Sequence, residues 1–107
     1  MLKLLTWIMP ESMVHKNEIL RAIAKGGFVI TKRSKVKLSE EVLKTCKFLF
    51  GEEKVQHAAG EVMLLKLSKE GEADEVNNHF EQLRGNLKTI FGSGKKDVVN
   101  PPMHMII

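Results

Sequence analysis

Two nearly unbroken apolar runs, Leu2–Met9 and Val62–Leu67, limit the folds open to this chain more than any other feature. A strand with one wet face alternates apolar and polar residues, whereas a run apolar at almost every position must be covered on both faces. Both runs are therefore expected at the centre of a sheet. Pro10 lacks a backbone donor and closes the first; Lys69-Glu70-Gly71 reads as a turn closing the second. The stretch from Phe28 to Leu38 has period two instead. Phe28, Ile30, Val36 and Leu38 fall on one face, and Val29, Thr31, Arg33, Lys35 and Lys37 on the other. Such a strand suits a sheet edge. Lys32 and Ser34 interrupt its apolar face, so its middle is expected to be frayed or covered by a partner.

Helical patterns separate these strands. Ile19, Leu20, Ile23 and Ala24 share one face of a helix that Ser12 is placed to cap and Gly26-Gly27 to stop. Ser39 caps a second helix running to about Phe50, with Glu40 and Glu41 in its first turn, Val42, Cys46 and Leu49 as its apolar stripe, and Gly51 at its end. The stretch from Glu52 to Gly60 has no clear period. Glu72–Arg84 carries Val76, Phe80 and Leu83 at helical spacing, with Gly85 as the stop. One further helical turn is expected at Leu87–Phe91, a loop at Gly92–Lys96 and a short last strand at Met103–Ile107. The order β-α-β-α-β-α-β in 107 residues predicts one domain, residues 1–107, with an α/β (α+β) ferredoxin-like sandwich.

Composition narrows the function classes. No run of about 18 apolar residues is present to span a membrane, and the N-terminal run lacks a small-residue cleavage site. The single cysteine, Cys46, cannot form an internal disulfide, which points to a reducing, cytoplasmic setting and a packing role. The net charge is +4, with Lys32, Arg33, Lys35 and Lys37 clustered in one strand and Lys95-Lys96 in a loop. No aromatic residues interleave with these charges as a base-stacking surface needs, so nucleic acid is not the favoured partner. Lysines that shield an edge strand account for the pattern more simply. His15, His57 and His79 each have a glutamate one helical turn away (Glu11, Glu53, Glu75), but none has a second His or a Cys at ligand spacing, so no metal is expected. Gly92-Ser93-Gly94-Lys95-Lys96 fails as a phosphate loop, because Thr89 stands where its first glycine belongs and Lys96 where Ser or Thr should follow the lysine.

Several short motifs share an order. They are Ile8-Met9-Pro10-Glu11, Gly27-Phe28, Leu38-Ser39-Glu40-Glu41, Gly60-Glu61-Val62-Met63-Leu64, Asn86 to Gly92, and Asn100 followed by His104. In this order the chain resembles a divergent nucleoside diphosphate kinase domain, and its compact stretch from Glu11 to Phe28 is similar to that of cilium-associated members. The resemblance implies a nucleoside-diphosphate-kinase-like version of the ferredoxin-like sandwich, truncated and lacking the family's C-terminal segment. It also implies roles for an active form. His104 would carry the phosphoryl group, Asn100 would orient it and Lys88 would contact the phosphates, with Mg and nucleotide bound.

The departures from the family pattern argue against that activity. Met9 replaces the lysine of Lys-Pro-Asp, and Lys88 replaces an arginine and its bidentate fork. Residues 52–60 are too few for the full base-binding hairpin, and no covering loop separates Arg84 from Asn86. The Asn100-to-His104 spacing is one residue long, and Met105-Ile106 replace Gly-Ser. Losing a preorganised charge contact costs about 2.7–4 kcal/mol of barrier, so several losses leave little catalysis. The expectation is a degenerate, non-catalytic domain without a cofactor that binds other proteins in the ciliary axoneme. Its contacts would run through the lysine-rich strand and Met103–Ile107, with self-association through the Phe28–Leu38 edge. An active kinase and a basic nucleic-acid-binding domain are the alternatives.

Overall fold

A computed structural model describes residues 1–56, 58 and 60–105. Strands β1 (Leu2–Ile8), β2 (Val29–Leu38), β3 (Gly60–Lys69) and β4 (Met103–His104) alternate with helices α1 (Lys16–Lys25), α2 (Glu40–Phe50) and α3 (Ala73–Phe91). The sheet order is β2-β3-β1-β4, and every neighbouring pair is antiparallel. The two continuous apolar runs are the two central strands and the alternating one is an edge, as expected. The domain is thus α+β, with a four-stranded antiparallel sheet and three helices, an arrangement compatible with a ferredoxin-like fold.

The sheet separates two cores. On one face Leu4, Ile8, Met63, Leu65 and Leu67 meet Ile19, Leu20 and Ile23 of α1 and Val76, Phe80 and Leu87 of α3. Phe28 joins this core edge-on to Phe80, with ring centroids 5.5 Å apart, a contact of about 0.5–1.5 kcal/mol beyond its burial. On the other face Trp7, Met9, Val62 and Met103 pack with Leu43 of α2 and with Val55 and Ala58. Covering both faces is what the unbroken apolar runs require.

Strand β2 departs from the expected alternation. Ile30 pairs with Leu67 and Lys32 with Lys66, so Thr31 is an extra residue and the register shifts there. One added residue turns every later side chain to the opposite face. Phe28 and Ile30 therefore belong to the α1/α3 core, while Val36 and Leu38 belong to the α2 core. They do not share a face. The bulge also resolves the polar interruption at Lys32 and Ser34, because the strand changes sides there. The Thr31 hydroxyl donates to the Lys66 carbonyl at 3.1 Å and pins the extra residue.

The helices bring further corrections. Ser12 caps nothing: it is buried within a 3-10 turn, Pro10–His15, that precedes α1. Ser39 does cap α2, accepting from the Val42 amide at 3.2 Å. The buried stripe of α2 is Leu43, Cys46 and Phe50, shifted from the expected Val42, Cys46 and Leu49. Gly85 does not end a helix, since α3 runs through it to Phe91. A mid-helix glycine costs roughly 1 kcal/mol against alanine, less than the burial of Phe80 and Leu87 on either side returns. Gly27, at φ +90°, does make the left-handed exit from α1.

Candidate functional site

The last segment of the chain follows the free edge of β1 in two pieces. Val98 accepts from the Met9 amide, and the Asn100 amide donates to the Trp7 carbonyl, each at 2.9 Å. Pro101 and Pro102 then interrupt the ladder, having no donors to give. Pairing resumes at Met103 with Leu5 and at His104 with Leu4, and the Met105 amide donates to the Lys3 carbonyl at 3.1 Å. Met103 enters the α2 core, while His104 points to the α3 side. There its Nε2 lies 2.6 Å from Oδ1 of Asn77.

Asn100 is fully buried and its side chain is committed to the main chain. Its Oδ1 accepts from the Gln56 amide at 2.9 Å, and its Nδ2 donates to the carbonyls of Lys54 at 2.8 Å and Pro101 at 2.9 Å. The Asn100 carbonyl accepts from the buried Thr6 hydroxyl at 2.6 Å. Nearby, Asp97 accepts from Gln56 Nε2 at 2.7 Å and pairs with Arg84 at 3.3 Å, which also pairs with Glu81. These groups tie the segment after α2 to the segment after α3.

The three residues that the resemblance singles out are therefore not gathered. His104 faces Asn77 near the start of α3, and Lys88 lies eleven residues further along the same helix, about 16 Å at 1.5 Å per residue. The Asn100 side chain is hydrogen-bonded to the main chain of Lys54, Gln56 and Pro101 and reaches neither His104 nor Lys88. Met9, which the resemblance sets against a lysine, is buried among Trp7, Leu43 and Val55. Among the other histidines, His15 stacks on Phe91 at 5.1 Å between ring centroids. His79 is exposed, and His57 lies outside the described residues, as do Ile106 and Ile107 of the expected final strand. Among the described residues no group of three or more His, Cys, Asp and Glu side chains is placed to hold a metal ion, and no helix is long and apolar enough to cross a membrane.

What the β4 edge does border is apolar. A cleft of about 250 Å³ is lined by Leu49, Phe50, Lys54, Pro102, Met103 and His104. Beside it the outer face of α2 is uncovered. Phe48 is 89% exposed, Leu49 64% and Val42 45%. The signal for this surface was present in α2, which carries Val42, Leu43, Cys46, Phe48, Leu49 and Phe50 within nine residues, more than one helical stripe can bury. Among the described residues only His104 and Lys54 contribute polar side chains to the cleft, which suits docking an apolar side chain better than a reaction. Burial pushes the Cys46 thiol above its ordinary range, away from nucleophilic use.

No protein-family model matches this chain, and a search of curated proteins finds no match to it.

Proposed function

We propose that this chain is a non-catalytic protein-interaction module built on a nucleoside-diphosphate-kinase-like version of the ferredoxin-like sandwich, and that it works in the cilium. The motif order described above supports the family, and the compact Glu11–Phe28 stretch supports the compartment. The observation that carries the function is the exposure of three large apolar side chains of α2, Val42, Phe48 and Leu49, the last of which lines the β4 cleft. An aromatic ring held almost wholly in water on a rigid helix is costly to solubility and is the usual anchor of a protein contact. The polar residues that catalysis would need are used internally or lie far apart, which weighs in the same direction.

Two experiments test this reading. Extracts of ciliated cells are passed over the immobilised chain, beside a Phe48→Asp, Leu49→Asp variant. Axonemal proteins held by the wild type and released by the variant are expected; equal retention by both would remove this surface from the proposal. Incubation with labelled ATP, beside His104→Ala, addresses catalysis. Acid-labile label on the wild type alone would overturn the non-catalytic reading and restore His104 as a phosphohistidine.

A further inference from the structure

The opposite edge of the sheet carries a second and different surface. Strand β2 ends the sheet, so among the described residues one side of its backbone is unpaired. Beyond the bulge at Thr31, residues 32–38 pair with β3 in unbroken register. This gives about 24 Å of regular open edge at 3.4 Å per residue. The same bulge turns Arg33 and Lys35 to the side where α1 lies, opposite Leu65 and Met63. Between α1 and this edge runs a groove of about 330 Å³ lined by Asn17, Leu20, Arg21, Ala24, Ile30 and Arg33. Leu20, Ala24 and Ile30 supply its apolar lining, with Arg21 on the α1 side and Arg33 on the β2 side.

These cations are not neutralised from within. Among the described residues Arg21, Lys32, Arg33 and Lys37 form no ion pair, and Lys35 reaches Glu61 only at 3.7 Å with both side chains more than half exposed. An edge shielded only against aggregation needs lysines pointing outward. It does not need an arginine on each side of a groove lined by Leu20, Ala24 and Ile30.

We infer that the β2 edge and the α1 groove together bind an extended acidic polypeptide segment as a fifth strand. Its backbone pairs with residues 32–38, one apolar side chain enters the slot between Leu20 and Ile30, and flanking carboxylates meet Arg21 and Arg33. Strand addition supplies affinity through main-chain bonds and specificity through alternate side chains. The arginine forks match carboxylates bidentately. Nucleic acid fits less well, because no aromatic side chain lines the groove for stacking. A second copy of the chain also fits poorly, since β2 against β2 sets Lys and Arg opposite Lys and Arg. This inference rests on the interaction-module reading, but its groove lies on the α1 face of the sheet and Phe48 on the α2 side, so either can fail alone.

The test uses the whole chain and a short labelled peptide alternating glutamate and valine, followed by fluorescence polarisation at low salt. Saturable binding is expected, weakened roughly tenfold by Arg21→Ala with Arg33→Ala, the worth of two partly exposed ion pairs. Replacing the glutamates by glutamine should weaken binding similarly, and N-methylation of alternate peptide nitrogens should abolish it. Phe48→Asp should leave it unchanged. The inference is overturned if the peptide does not bind, if the N-methylated peptide binds as well, or if the double variant keeps full affinity. An oligonucleotide of equal charge binding more tightly, or self-association in sedimentation lost in the double variant, would assign the edge to those partners instead.

Discussion

Asn100 separates a structural from a catalytic account of the C-terminal edge most sharply. Asn100→Ala removes an acceptor from the Gln56 amide and a donor from the Lys54 carbonyl, and leaves a small void at a fully buried position. A buried main-chain group left without a partner costs about 1–3 kcal/mol. Lys54 and Gln56 are only partly buried, so water recovers some of that loss, and about 2–4 kcal/mol remains. Against a total stability of roughly 5–15 kcal/mol this is a large fraction, equivalent to a fall in Tm of roughly 8–16 °C for a domain of this size. Asn100→Asp should be at least as damaging at neutral pH, because a carboxylate oxygen would then face the Lys54 and Pro101 carbonyls. Urea unfolding followed by the fluorescence of Trp7 reads the effect directly, as Trp7 is the single tryptophan and is 1% exposed. A loss below about 1 kcal/mol in both variants would refute this structural role and return Asn100 to a site role.

Two glycines of α3, Gly85 within the helix and Gly92 at its C-terminal cap, should respond in opposite directions. A Cβ at Gly85 meets nothing within 4 Å, so Gly85→Ala should raise stability by about 0.5–1 kcal/mol in the same assay. A Cβ at Gly92 would run into the Lys96 and Lys88 carbonyl oxygens, so Gly92→Ala should cost about 1–3 kcal/mol as the loop is pushed from α3. Removing the α2 cap with Ser39→Ala should cost about 1 kcal/mol, seen as a lower urea midpoint with an unchanged slope. Cys46 should alkylate more slowly at pH 8 than a free peptide thiol, since its raised pKa leaves less thiolate, and denaturant should erase the difference.

Sequence alone determined which strands are central and which is an edge. An apolar run must be covered on both faces wherever it lies, and an alternating one need not be. It also determined the Ser39 cap and the exit at Gly27, because both depend on a few neighbouring residues. It could not determine which face of β2 each half occupies, since a bulge at Thr31 is a choice between two registers that only β3 can make. The stripe of α2 was open for the same reason: Val42-Cys46-Leu49 and Leu43-Cys46-Phe50 are both helical stripes, and the surface of Trp7, Val62 and Met103 selected the second. Gly85 reads as a stop locally, but helix α3 continues because Phe80 and Leu87 are buried on the same core. Asn100 was visible as a polar residue near a histidine. Its purpose lies in contacts 44 and 46 residues away in the chain, to Gln56 and Lys54, and contacts of that separation exist only once the sheet has closed.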